Sequence, residues 1–374
     1  MTSAPVTLYG VPHSLYTGRA RSYLLKAGIA YREQAPTTPH FRDVVVPAAG
    51  GRLGLPTIEF ADGRVIRDGA AIIDHFEAAS GEAFSPTSPR QRVLSRLLDV
   101  IGAEGLLRPA MHYRWNFPEQ NLAFLRYHFQ LLFPPGPQQA QLADAAADRM
   151  RDAARAFGVV PETHAVVEAL YADVLDALHA HFVEHPYLLG NRPCIGDFGM
   201  IAPLFAHLGR DPAPLALMQT RAPGLLRWVE RMNRPEPDLC EFDGPEDAYL
   251  ADDAVPETLV AALRVLAEDF VPETLAAAET IDAWIAAQDD LAPGTEVPRG
   301  VGFCRFTLRG VEINALAQPY RFYLLARVQD ACAALDAADR ADVEALLTAC
   351  GMAPLLDVRL SRGIGREDNL EVWR

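Results

Sequence analysis

The residues in this sequence that suggest chemistry lie close together between positions 54 and 76. Leu55-Pro56 enters a short β-rich run, and proline belongs at a strand's first residue or edge because it cannot donate to a sheet ladder. An Asp62-Gly63 turn leads through a second run to Asp68, which stands where a helix N-cap is expected. A strand edge beside a helix N-terminus is suited to hold an extended peptide and an anion.

The elements that must position these residues form a βαβ unit followed by a hairpin and a helix. The pattern predicts a strand over 6–9, a helix over 17–26 that stops at a glycine, and a second strand over 29–32. The proline that enters the third strand occupies the place of the cis-proline in thioredoxin-like domains, and X-Pro bonds are the ones that become cis at low cost. We therefore expect a thioredoxin-like α/β domain over residues 1–84.

Three ordered signals in this domain resemble the glutathione transferase superfamily. They are a hydroxyl after the first strand, an X-Pro pair before the third strand and an acid that begins the next helix, present here as Ser14, Leu55-Pro56 and Asp68. The resemblance covers residues 7–77, and a second stretch over 188–233 matches separately. It implies glutathione as a co-substrate, with Ser14 in the place of the family's serine.

Ser14 is therefore the expected activator of the glutathione thiol, and Tyr16 and Tyr9 are the rival hydroxyls. A free thiol has a pKa of about 8.5, and the thiolate is the nucleophile. A hydrogen bond to a charged acceptor contributes about 1.5–3 kcal/mol, or roughly one to two pKa units. One hydroxyl at a helix start thus suffices to ionise a bound thiol near neutral pH. Residues 10–18 contain no cysteine, which argues against thiol–disulfide exchange at this loop.

The resemblance also implies a clamp for the tripeptide. Leu55, held by Pro56, would offer its N–H and C=O to the cysteinyl part, and Asp68 with Gly69 would lie under the γ-glutamyl end. The family usually carries Ser or Thr after the acid, so Gly69 removes a hydroxyl donor worth about 1.5–3 kcal/mol unless something replaces it. Arg67 and Arg64 are the candidate replacements, and a solvated strand charge is the alternative interpretation of each side chain.

The composition limits the partners and the compartment. The 374 residues carry 34 basic and 49 acidic side chains, a formal net charge of −15, without a basic block. We therefore expect no binding to nucleic acid or to an anionic membrane. The N-terminus lacks a signal-peptide pattern, and no run is long enough to span a membrane. The five cysteines are scattered without a CxxC pair and the histidines lack ligand spacing, which indicates a cytoplasmic protein without a metal site.

Residues 85–238 predict an all-helical second domain of the transferase type. Within residues 187–198, Cys194 takes the cap position of a capping box and Asp197 reaches back to it, so Asp197 is expected to be structural. An aromatic segment carries His112, Tyr113 and Trp115, which we expect to form the wall of an apolar pocket for the electrophile. Packing of this segment against the domain interface is the alternative.

Residues 239–374 extend beyond the usual length of a transferase and predict a mainly helical region. Two Val-Pro-Glu-Thr-Leu segments, at 255–259 and 271–275, predict two helix starts. A β-hairpin is expected over 303–314. This region carries no recognisable chemistry, and covering the pocket, adding an interface or binding a partner are the roles open to it.

The sequence therefore predicts a glutathione S-transferase-like enzyme of the cytoplasm, a homodimer with a detoxifying role. It would direct the glutathione thiol at a small hydrophobic electrophile, and a glutathione-dependent isomerase or dehalogenase would use the same residues. A non-catalytic binding or assembly protein that keeps the fold is the alternative from another class. Gly69, Cys194 and the long C-terminal region point toward that alternative.

Overall fold

The N-terminal part of the protein is built on a four-stranded sheet. The computed structural model describes residues 4–242 and 246–374, so the first three residues, which are part of the signal-peptide prediction, lie outside it. The strands have the order β2-β1-β3-β4, in which β1 pairs parallel to β2 and antiparallel to β3, and β3 pairs antiparallel to β4. Their bounds are β1 Val6–Tyr9, β2 Tyr31–Gln34, β3 Thr57–Glu59 and β4 Val65–Arg67. The predicted thioredoxin-like topology is confirmed.

Three helices accompany this sheet: α1 Leu15–Lys26, α2 Val46–Ala48 and α3 Gly69–Ser80. The apolar run over 40–47 predicts a connector without helix, and that prediction is wrong, because a π-helical turn at Phe41–Val45 leads directly into α2. Phe41 and Val45, one helical turn apart, are both buried in a cluster with Tyr9. Burial of that pair on one face favours a helical turn over an extended connector.

The middle of the chain is helical, as predicted. Its α-helices are α4 Pro89–Glu104, α5 Leu107–Trp115, α6 Pro118–Gln130, α7 Gln139–Asp152, α8 His164–Glu184, α9 Ile195–Ala206, α10 Pro212–Arg221 and α11 Pro223–Met232. Helix α9 lies at the centre, and it crosses α4 so closely that a Cβ on Gly102 would stand 2.1 Å from the carbonyl carbon of Gly199. Glycine at this crossing allows the two backbones to meet.

The start of α9 is fixed by the predicted acid. The carboxylate of Asp197 accepts hydrogen bonds from the backbone N–H of Cys194 (2.9 Å) and of Leu188 (3.2 Å), and from the indole N–H of Trp228 (2.8 Å). Asp197 is completely buried. Its role is therefore structural, because it satisfies three donors that water cannot reach.

Within its described residues, the C-terminal third contains four α-helices and two β-hairpins: α12 Glu257–Ala286, β5 Phe303–Leu308, β6 Val311–Leu316, α13 Tyr320–Ala333, α14 Ala337–Ala349, α15 Pro354–Asp357, β7 Ile364–Glu367 and β8 Leu370–Trp373. The hairpin expected over 303–314 is present. Two separate helices were expected from the repeated Pro-Glu-Thr segments, and this is wrong, because α12 continues through Pro272. Val271 and Thr274 on either side of that proline are buried, so tertiary packing holds the helix together there.

One continuous hydrophobic core joins all three regions. The largest cluster of buried residues extends from Leu15 and Ile73 in the first region, through α4 and α9, to Phe322 and Trp373 in the last. The C-terminal third therefore packs on the rest of the chain instead of forming a core of its own. Among the described residues, no helix is long and apolar enough to cross a membrane.

Candidate active site

The residues predicted to act together are gathered at one end of the sheet. Tyr9, at the end of β1, pairs with Thr57, at the start of β3, and Thr57 pairs in turn with Arg67, at the end of β4. Ser14 follows β1, Leu55-Pro56 precedes β3 and Asp68 follows β4. The antiparallel pairing of β3 with both neighbours therefore brings Ser14, Leu55-Pro56 and Asp68 to the same end of the sheet.

The Leu55-Pro56 turn is fastened to the start of α3. Its peptide bond is cis, and the carbonyl of Pro56 accepts a hydrogen bond from the N–H of Asp68 at 3.0 Å. The hydroxyl of Thr57 donates to the carbonyl of Gly54 at 2.9 Å and closes the turn from the other side. Within the described ranges, the backbone N–H and C=O of Leu55 have no hydrogen-bond partner. This residue keeps one donor and one acceptor available for a peptide.

Ser14 is the N-cap of α1, and its hydroxyl oxygen accepts a hydrogen bond from the N–H of Thr17 at 3.4 Å. The hydroxyl proton is not used by this contact, so the side chain can still donate to an anion. Tyr9 is committed elsewhere, because its hydroxyl donates to Glu59 at 2.8 Å. Burial and the neighbouring Glu59 charge also raise the pKa of Tyr9, which keeps that phenol protonated.

Tyr16 lies in the first turn of α1, near Asp68 of the first region and Glu104 of the helical middle. Its pKa is held well above the usual value, first by burial and then by the negative charges of Glu104 and Asp68. Burial also raises the pKa of Glu104, to about 7. Tyr16 is therefore a neutral phenol that can donate a hydrogen bond but cannot serve as a base.

Asp68 stands at the point where the resemblance implies the γ-glutamyl end. Its φ of 88° is left-handed, and one carboxylate oxygen caps α3 by accepting from the N–H groups of Ala70 (2.9 Å) and Ala71 (3.1 Å). The other oxygen accepts from the hydroxyl of Tyr320 at 2.8 Å. A hydroxyl therefore does lie beside this acid, but it comes from the C-terminal third, and no local sequence pattern reveals it.

Gly69 has little room for a side chain. A Cβ at this position would lie 3.3 Å from Cδ of Arg19, 3.5 Å from the carbonyl oxygen of Tyr16 and 3.7 Å from Cγ of Pro56. Arg19 is itself fixed by a buried ion pair with Asp99. A Ser or Thr at this position would therefore press against an arginine that its ion pair holds in place, which favours glycine here.

Arg67 is neither a solvated charge nor a free donor. It is 8% exposed, and its guanidinium donates to the carbonyl of Asn369 (2.9 Å from Nε) and to the carboxylate of Glu371 (2.9 Å). Its backbone N–H donates to the side-chain oxygen of Asn369 at 3.1 Å. The second hairpin, β7–β8, which was not predicted, therefore holds this residue.

The aromatic segment is placed in the helical region. The ring nitrogens of His112 lie 2.9 Å from Glu168 and 2.9 Å from Asn116, and burial lowers its pKa. The ring of Tyr113 stacks on Phe117 and the indole of Trp115 packs on Phe129. These hydrogen bonds and ring contacts do not include the sheet end that carries Ser14. The pocket wall proposed for these three residues stays a prediction.

Arg114, within the same segment, does reach the first region. Its guanidinium donates to the carbonyl of His13 at 3.1 Å and forms a buried ion pair with Asp211. His13 directly precedes Ser14, so this contact anchors the loop that holds the hydroxyl. Arg114 lies in no recognised motif, although a charged residue inside an apolar aromatic run is a usable signal.

A buried network of charges joins the helical middle of the chain to the C-terminal third. Arg108 pairs with Asp269 and with Glu273, and Glu273 also pairs with Arg321 at 3.1 Å. All four side chains are more than nine-tenths buried. Asp269 and Glu273 are one helical turn apart on α12, so the spacing alone places both acids on one face. In the part of the chain that the structure describes, no group of three or more His, Cys, Asp or Glu side chains is arranged to hold a metal ion.

Comparison with known proteins gives a family match over the first region and similarities to solved structures at low sequence identity. Residues 8–84 match the family model of the glutathione S-transferase N-terminal domain. Glutathione transferase GSTFuA3 from Phanerochaete chrysosporium is 17% identical, with 63% of this chain and 98% of that chain covered at a TM-score of 0.44. The β-etherase LigF from Sphingobium sp. strain SYK-6 is 18% identical, with 64% and 98% covered at a TM-score of 0.41. No curated protein sequence matches the chain.

Proposed function

We propose that the chain, whose residues 8–84 match the glutathione S-transferase N-terminal domain, binds glutathione along the Leu55-Pro56 turn and that Ser14 activates the bound thiol. The observation that carries this proposal is the meeting of Ser14, the unpaired backbone of Leu55 and the Asp68 cap at one end of the sheet. Each of these groups suits a different part of a thiol tripeptide.

The roles follow from the chemistry of the groups. The Ser14 hydroxyl donates to the glutathione sulfur and stabilises the thiolate as its proton leaves, and the N-terminus of α1 adds about 0.3–1 kcal/mol. The N–H and C=O of Leu55 pair with the cysteinyl backbone. The Asp68 carboxylate attracts the γ-glutamyl ammonium, and the N–H of Gly69 serves the adjoining carboxylate. Tyr16 supplies a second neutral O–H donor near the sulfur.

The thiolate then attacks a small hydrophobic electrophile, and His112, Tyr113 and Trp115 are the proposed wall of its pocket. Conjugation is the primary reaction class, and isomerisation or dehalogenation would begin with the same thiolate. The proposal places the chain in the cytoplasm as a homodimer with a detoxifying role. The acidic composition and scattered cysteines support this setting.

The test combines binding with a matched pair of variants. We expect glutathione to bind at millimolar concentration or below in calorimetry, and chlorodinitrobenzene to be conjugated. Ser14→Ala removes both the hydroxyl and the cap of α1, whereas Ser14→Asp keeps a capping oxygen, removes the donor and adds a negative charge beside the thiolate. Both variants lose at least tenfold in conjugation rate, because one charged hydrogen bond is worth about 1.5–3 kcal/mol.

Thermal unfolding separates the two contributions of Ser14. Only Ser14→Ala loses stability, by about 1 kcal/mol, because Ser14→Asp retains the cap. Conjugation that is equal in the parent and in both variants would eliminate Ser14 as the activator. Failure of the parent to bind glutathione at ten millimolar would eliminate the proposed function.

A non-catalytic binding or assembly protein is the second candidate, and one observation favours it. Asp68 and Arg67 already have hydrogen-bond partners in the C-terminal third. Because the chain itself already occupies these two charged residues, the site fits a protein that binds or assembles without activating a thiol. Glutathione binding without any detectable conjugation of several electrophiles would favour this candidate over the enzyme.

A further inference from the structure

We infer that the C-terminal third acts as an internal ligand of the peptide site, so that glutathione must displace it in order to bind. This inference rests on the proposed function, because it names the same residues as the clamp. Its contacts come from the β7–β8 hairpin, from Tyr320 at the start of α13, and from the segment over 296–299.

The tip of the hairpin pairs with the edge strand β4 through a side-chain amide. The oxygen of Asn369 accepts from the N–H of Arg67 at 3.1 Å, and its nitrogen donates to the carbonyl of Val65 at 3.1 Å and of Ala48 at 3.2 Å. One donor and one acceptor facing alternate backbone groups is the pattern by which a peptide adds to a sheet edge. Asp368 and Asn369 both have positive φ, which suits a two-residue turn that projects this amide.

Glu371 places a carboxylate beside the arginines of the clamp. It is 4% exposed, lies 2.9 Å from Arg67 and 3.8 Å from Arg52, and is also paired with Arg366. Two of these arginines belong to the first region and flank the Leu55-Pro56 turn in sequence. A buried carboxylate between arginines takes the position that an anionic group of a tripeptide would occupy.

Tyr320 covers the opposite, acidic side of the clamp. Its hydroxyl donates to the Asp68 oxygen that does not cap α3, so both oxygens of this carboxylate are engaged. An incoming ammonium group would have to take that oxygen from Tyr320. The pairing of Arg67 with Glu371 and of Asp68 with Tyr320 therefore satisfies both charged ends of the predicted clamp.

The loop before the turn is covered as well. The guanidinium of Arg299 donates to the carbonyl of Leu53 at 3.0 Å, and Arg52 pairs with Glu296 at 3.2 Å. A Cβ on Gly50 would stand 2.8 Å from Cγ of Leu370, so the hairpin rests directly on this loop. These contacts reach the loop that precedes Leu55, while the N–H and C=O of Leu55 itself keep no partner among the residues described.

The consequence for affinity is a competition. When only a fraction of molecules has the site open, the apparent dissociation constant rises by the inverse of that fraction. Tyr320→Phe and Glu371→Gln each remove one contact of the internal ligand without altering the clamp. We expect each to tighten glutathione binding by about ten- to a hundredfold, the equivalent of one charged hydrogen bond.

Matched controls come from the same elements. Tyr323→Phe changes the other tyrosine of α13, and Glu367→Gln changes a hairpin acid that pairs with the exposed Arg374. Both controls should bind glutathione as the parent does. Hydrogen exchange gives a direct readout, because saturating glutathione should accelerate exchange of amides over 364–373 in the full-length parent.

The outcomes separate the inference from the function on which it rests. If the parent binds glutathione, and Tyr320→Phe and Glu371→Gln bind it equally well or more weakly, the internal ligand is refuted and the proposed function stands. If the parent does not bind glutathione at ten millimolar, the proposed function fails and the competition fails with it. Tighter binding in both variants but in neither control supports the inference.

Discussion

Replacement of Asp197 tests how the start of the central helix α9 is held. In Asp197→Ala, three buried donors lose their acceptor: the N–H groups of Cys194 and Leu188 and the indole of Trp228. Each buried donor without a partner costs about 1–3 kcal/mol, so the sum is about 3–9 kcal/mol. That is a large part of the 5–15 kcal/mol typical of a whole domain.

Asp197→Asn is the informative partner of this variant. One oxygen accepts from both Leu188 and Trp228, and the other accepts from Cys194. An asparagine that keeps the first oxygen retains two hydrogen bonds and places an NH₂ group against the N–H of Cys194. We therefore expect a loss of about 1–3 kcal/mol, the equivalent of one donor.

The measurement is urea unfolding followed by tryptophan fluorescence, with Asp289→Asn as the control. Asp289 is exposed in a loop, and its replacement should change the unfolding free energy by less than about 0.5 kcal/mol. Equal losses for Asp197→Ala and Asp197→Asn would refute the count of hydrogen bonds. A loss below about 1 kcal/mol for Asp197→Ala would refute the structural role of the residue altogether.

Two further predictions concern burial and close packing. Burial raises the pKa of Glu104 from a usual value of 4.5 to about 7, so this carboxyl binds a proton more tightly in the folded protein than in the unfolded chain. The stability that the proton contributes is therefore present below about pH 4.5 and is lost as the pH rises toward 7. The difference in unfolding free energy between the parent and Glu104→Gln should therefore decline by about 3 kcal/mol over that range, and a flat difference would contradict the assigned pKa. Gly102→Ala places a methyl group against the backbone of α9 and should cost about 1–3 kcal/mol or more in urea unfolding, while Gly136→Ala, with open space around its Cβ, should be nearly neutral. Equal effects at the two glycines would mean that the α4–α9 crossing can relax.

Local patterns predicted those parts of the protein whose partners are close in sequence. The Asp62-Gly63 hairpin, the Asp68 cap and the Asp197 capping box each depend on residues a few positions away, and each is present. The second hairpin was missed, although Asp368-Asn369 between alternating residues carried a usable turn signal. The π-helical turn at Phe41–Val45 was missed because its cause is burial against β1.

The position of Ser14, Leu55 and Asp68 at one end of the sheet was predictable from the sequence, because strand order follows from the βαβ and hairpin patterns. Which residues contact that end of the sheet was decided by tertiary structure alone. Asn369 lies 302 positions from Arg67, and Tyr320 lies 252 positions from Asp68. Hydrogen bonds of such range have no periodicity or spacing that a single sequence reveals. Whether Arg67 and Asp68 face solvent, a ligand or the chain itself therefore depended on how the last third folds back onto the first.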